Sequence, residues 1–533
     1  MKTVFRSTHG YRIFDQLVQR IELWAERNAP SAAGYTSVDI AGRIVQRVVE
    51  IGLNPFLQER ARRFEQGLDP ALSVDERIRC GELIMNAATG SVRPGALLLL
   101  RSFAEFLFHW LHVFLTHVRS CWRSLPMDSR PTTLLFGVGK ENIVVENTDA
   151  RFVEFCRKGP IAPITHAPRV IVQEITQSQS TDPETFSYAR FPLFALVRSN
   201  FRGLSTLLLF FVPHLSALVS FIIAVFKNPL VIILGRDFAY HAMVSWLNHN
   251  GLIHAVVITN SNYAAQPLWM HSLPGRRYRT HMVWYSQNSI PFVYQADQVQ
   301  EPFPYFKHIR VDETWVWTQG FADYLKRIGV AGIFCVVGPI LWYLPESAAD
   351  APPGIRLVVF DVTPVRDNYA RKIGLFSNYY TSSNLRKFLR DIVEVKTEIE
   401  THLGKKILIS LKHKREYHNI HDPQYILFIR NEIQTRADCE IVSPQKNMFG
   451  LIAGSRLVIV IPYSSPAYVA SSLGIPAVYY DPSGELLPTY EKSPHVSFAS
   501  DRNALLKLIR SMIATELPYC REEAILVPDA HGS

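Results

Sequence analysis

Leu457-Val-Ile-Val-Ile-Pro-Tyr-Ser-Ser-Pro-Ala-Tyr-Val-Ala-Ser-Ser-Leu-Gly474 decides the fold. Its five leading apolar residues are too few for a helix and suit a strand buried on both faces of a parallel sheet. Pro462 and Tyr463 then carry the chain into two serines. Pro466 fits the first turn of a helix, and Gly474 closes it. The pattern is strand, turn, helix. In an open parallel sheet, ligands collect at the carboxyl ends of the strands, so the Ser464–Ser465 turn is a candidate binding edge.

Working outward, the same pattern recurs. Strands are expected at 356–361, 406–411, 439–442 and 477–481, with helical stretches between them and a closing helix at 504–513. Upstream lies Pro345-Glu-Ser-Ala-Ala-Asp-Ala-Pro-Pro-Gly354, a linker by composition. Beyond it a second series is expected, with strands at 133–138, 169–173, 229–235, 254–260, 281–286 and 313–318, and Asp237 near the start of a helix. Residues 1–125 read as helices, with apolar residues at three- and four-residue spacing over 14–24 and 40–51, and nothing there looks catalytic. The expected organisation is a helical region over 1–130, one α/β unit over 131–345 carrying the apolar helices, and another over 356–533.

Composition narrows the class. The chain has 533 residues, 56 Lys+Arg against 47 Asp+Glu, and 48% hydrophobic residues, enough for several cores. Six cysteines with no CxxC or Cys/His spacing argue against a zinc module or a disulfide framework and suit a reducing compartment. The start has no continuous apolar run with a small-residue cleavage site, so no signal peptide is read. A net charge of +9 is compatible with anionic lipid, nucleic acid or phosphate ligands and selects none. The chain lacks GxGxxG after a strand, GxxxxGK[ST], HExxH and GxSxG, which disfavours dinucleotide oxidoreductases, P-loop ATPases, zincins and serine hydrolases. No basic–aromatic pattern suggests a nucleic-acid partner.

Two stretches raise the membrane. Leu204–Phe226 has no charged residue, and 96–118 is apolar but interrupted by Arg101, Glu105 and three histidines. Spanning by either would separate parts of one globular unit, so interfacial insertion is favoured over a crossing. A buried hairpin broken at Pro213 is the alternative. Arg119, Arg123, Arg202 and Lys227 flank the runs and could meet acidic head groups.

Three constellations could carry chemistry. Lys412, Lys414 and Arg415 gather positive charge straight after a strand, as a phosphate or sugar acid requires. A solvated basic turn is as good a reading of that segment alone. Ser464 and Ser465 open a helix whose amides and dipole favour an anion, although an ordinary serine cap is common. Asp361 ends an apolar strand and could serve as base or nucleophile, or merely cap nearby backbone. In the first unit, Trp284-Tyr-Ser-Gln-Asn-Ser-Ile-Pro291 offers Tyr285, Gln287 and Asn288 to sugar hydroxyls, or is a polar loop with its aromatics in the core. Glu301, Asp312 and Glu313 are further carboxylates that no spacing singles out.

These segments, together with Phe155–Ile161, Val336–Trp342 and Tyr479–Gly484, resemble GT-B glycosyltransferases, in which two Rossmann-like domains face a cleft. Among them they are most similar to the retaining β-Kdo transferases of bacterial capsule and O-antigen assembly, which use CMP-Kdo. The resemblance covers about Arg151 to Glu485, and the long apolar run within it has no counterpart there. It implies a donor site in the second unit and an acceptor site on the first. Asp361 would form a covalent sugar adduct, and Lys412, Lys414, Arg415, Ser464 and Ser465 would hold the CMP phosphate. Tyr480, Asp481 or Glu485 would lie near the ribose, with Tyr285, Gln287 and Asn288 on the acceptor side. It also implies a nucleotide-sugar donor, a glycan or glycolipid acceptor and no metal or other cofactor. The protein would act on the cytoplasmic face of the bacterial inner membrane, among other polysaccharide assembly proteins. Two alternatives stay open: a transferase using a UDP- or GDP-sugar, or an inverting sialyltransferase-like enzyme, and a non-catalytic membrane-associated assembly protein.

Overall fold

The computed structural model describes residues 8–49, 51, 77–80, 82–86, 89–122, 128–138, 148–173, 186–259, 266–286, 293–295, 306–342, 344, 354–366, 378–413, 416–444, 446–488 and 493–514. The chain begins with helices Thr8–Asn28 and Ser37–Val48. Thr36 caps the second: its hydroxyl accepts from the Asp39 amide, and the Asp39 carboxylate accepts from the Thr36 amide. A small antiparallel meander follows, β1 (Arg77–Cys80), β2 (Leu83–Asn86) and β3 (Val92–Pro94). This corrects the all-helical expectation for the first 125 residues. Strands of three or four residues present no period to read, and the turn at Gly90 depends on packing: a Cβ there would meet the Arg20 backbone at 2.4 Å.

The first large sheet is entirely parallel. It comprises β4 (Thr132–Phe136), β5 (Arg169–Gln173), β6 (Phe186–Ala189), β7 (Ile253–Thr259) and β8 (Arg279–Val283). After a short strand, β9 (Val293–Tyr294), it is completed by β10 (Glu313–Val316) and β11 (Ile333–Val336). The spatial order is β11-β10-β8-β7-β4-β5-β6. The second sheet contains β12 (Ile355–Phe360), β13 (Ile407–Lys412), β14 (Cys439–Val442), β15 (Leu457–Val460) and β16 (Ala477–Tyr480). A short strand, β17 (Leu486–Leu487), precedes its last member, β18 (Val496–Ala499), and the order is β14-β13-β12-β15-β16-β18. Both sheets step outward from their first strand, return, and continue on its other side. That is the doubly wound Rossmann order, with a switch point between β4 and β7 in one sheet and between β12 and β15 in the other.

One expected strand is corrected. Residues 229–234 form a 3-10 helix, not a strand, because Asn228 accepts from the Leu230 amide and Pro229 sets the first turn. A short buried apolar run has no period that separates the two. It leads directly into helix Gly235–His249, whose Asp237 is buried and paired with Arg43 at 3.0 Å. That pair, with Ser272 donating to Asp39 at 2.7 Å, fastens the N-terminal helices to the first unit.

The apolar helices are Ala96–Cys121 and Leu204–Lys227, and the second runs unbroken through Pro213, so there is no hairpin. They pack antiparallel: Trp110 donates to the His214 carbonyl at 3.3 Å, and Phe106 and Phe221 lie 4.2 Å apart. His117 and His214 fill the seam, buried and held neutral by desolvation, with pKa values lowered to about 3 and about 4. These two helices and the segment 229–249 are long and apolar enough to cross a membrane, but 229–249 is 78% buried and the other two only 22% and 28%. Their outer faces, including Leu100, Phe108, Leu209 and Phe226, are exposed.

Candidate functional site

Register assembles the second unit's carboxyl edge. Phe360 pairs with Lys412 on one side and Val460 on the other, so Asp361, His413 and Ile461 emerge from adjacent strands at one level beside the switch point. Asp361 is buried, and its Oδ2 accepts from Tyr425 at 2.5 Å. His413 Nδ1 lies 2.8 Å from the same oxygen, and Tyr417 Oη lies 2.8 Å from His413 Nε2. A carboxylate holding Nδ1–H fixes the imidazole tautomer, so Nε2 faces Tyr417 as an acceptor. Oδ1 of Asp361 has no partner among the described residues. Burial pushes the Tyr425 and Tyr417 phenols up, and the Asp361 charge pushes them further, so both remain donors.

The wall around this cluster is tied down locally. Asp422 caps the helix Pro423–Phe428 through the Gln424 and Tyr425 amides, while its own amide donates to the Pro364 carbonyl at 2.9 Å. Arg366 and Ile420 are joined similarly at 2.9 Å. The loop after Asp361 is thereby pinned to the segment that supplies Tyr425.

Lys412 is buried, not spread on the cleft wall. Its ammonium donates to the Pro444 carbonyl at 2.6 Å. Burial lowers its pKa to about 8 against the opposing pull of Asp361 and Glu416. Lys414 and Arg415 lie outside the described residues, as do Gln287, Asn288, Arg123 and Glu301.

At the neighbouring strand end, Tyr463 has φ +61°, a left-handed conformation unusual for an aromatic residue. Such strain gathers at functional turns. The Ser464 hydroxyl turns back to the Ile461 carbonyl and caps no amide of the helix Ser465–Ser472. The ordinary serine-cap reading therefore fails for Ser464, and the helix start keeps its positive end. Tyr463 Oη donates to the Leu487 carbonyl at 2.9 Å.

Two implied ribose contacts face inward. The Tyr480 hydroxyl donates to Asp391 of the helix Ser382–Leu403, and the ring lies 5.7 Å from Phe388. Asp481 accepts from Tyr379, Ser483 and the Leu486 amide, which shapes the turn before β17. These are corrections with two causes: strand alternation sends Tyr480 into the helix layer, and the Asp481 carboxylate, bonded at both oxygens, has little left for a ribose. Glu485 is half-buried, and its carbonyl accepts from the Gln295 amide at 2.8 Å.

The last bond belongs to a bridge between the units. β9 pairs with β17, and Trp317, just beyond β10, lies 6.3 Å from Tyr468 of the second unit. The carboxyl edges of the two sheets thus face each other. Tyr285 stands half-buried on the first unit's side, 6.1 Å from Trp342, whose φ is +62°. Trp284 is core. Asp312 and Glu313 sit at the opposite, amino end of β10. Asp312 is drawn to about 2 because its bonds to Arg276 and Thr280 outweigh burial. Glu313 pairs with Arg279 at 3.0 Å, so both are structural.

His413 was missed by the sequence reading, which weighed only the basic residues around it. The available signal was a histidine one residue past a strand, level with Asp361. Among the described residues, no three His, Cys, Asp or Glu side chains converge as a metal site.

Two parallel Rossmann-like units with facing carboxyl edges define the GT-B plan. The sequence model of the polysaccharide biosynthesis PFTS motif protein family matches residues 218–509, more than half of the chain, and the chain belongs to that family. A search of curated proteins returned no match. Among solved structures, the chain is similar to the wall teichoic acid polymerase TagF, at 11% identity, TM-score 0.37, over 78% of this chain and 89% of that one. It is also similar to the lipopolysaccharide outer core galactosyltransferase WaaB, at 9% identity, TM-score 0.36, over 74% and 93%. A putative UDP-N-acetylglucosamine 2-epimerase from Listeria monocytogenes gives 12% identity and TM-score 0.37 over 72% and 88%. At these scores they are distant likenesses.

Proposed function

We propose that this protein is a glycosyltransferase of polysaccharide assembly, which moves a sugar from a nucleotide donor at the second unit's switch point to a glycan on the first. The observation that carries the reading is the Asp361–His413–Tyr417 cluster beside the strained Tyr463 turn and the uncapped helix start. The family name spells a Pro-Phe-Thr-Ser motif. Pro462-Tyr-Ser-Ser465 answers it with aromatic for aromatic and hydroxyl for hydroxyl, at this turn.

In this reading the amides at Ser465 and its hydroxyl bind the donor phosphate, helped by the Lys412 charge and by Lys414 and Arg415. His413, oriented by Asp361, is the group that manages the proton through Nε2 and Tyr417. The finer donor is CMP-Kdo or a related acidic sugar. On the retaining route, Oδ1 of Asp361 attacks the anomeric carbon as the bond to the CMP phosphate breaks, and CMP leaves. The acceptor hydroxyl then displaces Asp361, which returns to the free carboxylate, and its proton passes to His413 Nε2 by way of Tyr417. Oδ1 accepts no bond among the described residues but is buried, so this route requires donor binding to uncover Asp361, and no metal is invoked. Tyr285, Gln287 and Asn288 would bind the acceptor glycan. The exposed apolar helices would rest on the cytoplasmic side of a bacterial inner membrane, beside other assembly proteins.

The test is a donor panel of CMP-Kdo, CMP-sialic acid, UDP-sugars and GDP-sugars, read by sugar release, thermal shift and intact mass. Stabilisation and turnover by CMP-Kdo, with a sugar-mass adduct absent from Asp361→Ala, are expected. Turnover of UDP- or GDP-sugars alone would replace the donor. Turnover with inversion would remove the nucleophile and leave Asp361 as the residue that positions His413. No turnover of any donor would favour the assembly-protein alternative.

A further inference from the structure

Two routes of contact run from the Tyr463 turn into the first unit. In one, Tyr463 Oη donates to the carbonyl of Leu487, which stands opposite Val293 in the β17–β9 pair. The Leu486 amide beside it donates to Asp481 at 2.9 Å. β17 is therefore fixed by the second unit on one side and offered to the first on the other. The second route is a row of rings. Ring centres of Tyr463 and Tyr479 lie 5.5 Å apart, those of Tyr479 and Tyr468 6.3 Å, and those of Tyr468 and Trp317 6.3 Å. Trp317 Nε1 then donates to the Trp284 carbonyl at 2.6 Å.

These routes reach the two ends of one segment. Trp284 opens the stretch that carries Tyr285, Gln287 and Asn288, and Val293 follows its close. Both ends are thus tied to a single residue of the second unit. That residue stands at φ +61°, where few aromatic side chains sit. The backbone there sets the direction of Cβ, and the rigid ring carries that direction to the hydroxyl. A turn relaxed to negative φ would redirect Cβ and draw the hydroxyl off Leu487. The state of the turn and the hold on the segment are therefore joined, and a coupling between sites needs such an element with two arrangements.

We propose that Tyr463 is a positioning residue that couples the donor turn to the segment 284–293, so that a nucleotide at the turn and a glycan at the segment strengthen each other's binding. The inference rests on the transferase reading and adds cooperative binding to it. A phosphate on the turn amides favours the left-handed state, that state holds β17, and β17 holds the end of the acceptor-side segment. Linkage makes the effect reciprocal: loosening β9 weakens nucleotide binding by the factor that nucleotide binding tightens β9.

The experiment is hydrogen exchange by mass spectrometry on the full chain, alone and with saturating CMP, UDP or GDP. It compares the parent with Tyr463→Phe, which keeps the ring and removes the hydroxyl. Without nucleotide, Tyr463→Phe should speed exchange of the 293–295 amides by roughly two- to tenfold, the range of one lost hydrogen bond. The β13 amides should not change. With CMP, the parent should gain about fivefold or more protection at 293–295, and Tyr463→Phe should lose most of that gain. Val293→Pro removes a bridge amide from the first unit and spares both large sheets. It should weaken CMP binding in calorimetry by about fivefold or more, a loss that a merely structural Tyr463 would not produce. An equal CMP response in Tyr463→Phe, or an unchanged CMP affinity in Val293→Pro, overturns the proposal. Where UDP or GDP binds in place of CMP, the same readings are taken with that nucleotide. If none binds, the donor reading falls, and the free chain decides the link: faster exchange in Tyr463→Phe upholds it, and unchanged exchange overturns it.

Discussion

The two α/β units share one winding, yet their switch points hold different chemistry. In the first, arginines and apolar side chains surround an open cavity beside exposed helices. In the second, a carboxylate, a histidine and two phenols fill the strand ends, and a tyrosine is held at positive φ. Topology provides the crevice, and strand-end residues decide its use. One edge is lined by arginines and apolar side chains, the other by groups that can exchange a proton.

The comparison breaks most sharply if catalysis does not belong to the second unit. His413→Ala is expected to lower transfer by roughly 10²–10⁴-fold, the range of a lost acid–base group. The CMP thermal shift should persist. A variant that still turned over at the parental rate would move the chemistry elsewhere.

The next effect concerns stability and belongs to the first unit. Arg43→Met leaves the buried Asp237 carboxylate without its 3.0 Å partner. Roughly 3–5 kcal/mol should be lost. Chemical denaturation followed by hydrogen exchange should place that loss in the N-terminal helices and the 229–249 segment, not in the second sheet.

Both units should gain stability as pH rises, but in different windows. His117 and His214 have folded pKa values below the ordinary 6.5, so the unfolded chain binds more protons as pH falls. Their contribution is present above about 6.5 and is lost progressively toward about 4 for His214 and about 3 for His117. Lys412 has a folded value near 8 against 10.5, so the second unit should gain stability as pH rises between those values. Melting across pH tests both. His117→Phe should flatten the acid limb, and Lys412→Met the alkaline one.

The smallest effect separates an inward residue from a cleft residue. Tyr480→Phe removes one hydroxyl bond to Asp391. It should cost about 1 kcal/mol. The Michaelis constant for the donor should not move, whereas a ribose contact would raise it.

Most of the second sheet was legible because central parallel strands are buried on both faces and read as apolar runs. The strands that escaped notice in the two large sheets, β6, β11 and β18, all lie at sheet edges. An edge strand is partly solvated, and its sequence mixes polar with apolar residues, as Val496-Ser-Phe-Ala499 does. The run 229–234 failed in the opposite direction: it is apolar enough for a strand, but its Asn228 cap and Pro229 start wind it into a helix.

By itself, the sequence determined two parallel α/β units, their apolar companion helices, and candidate residues at strand ends. Those follow from local period, run length and turn chemistry, which are properties of neighbouring residues. The tertiary structure decided which candidates meet. Asp361 and His413 are 52 positions apart and touch through the β12–β13 register. The arginines of the first cavity come from helices and strand ends scattered between 43 and 236. Register and packing join such distant positions, and no local pattern encodes them.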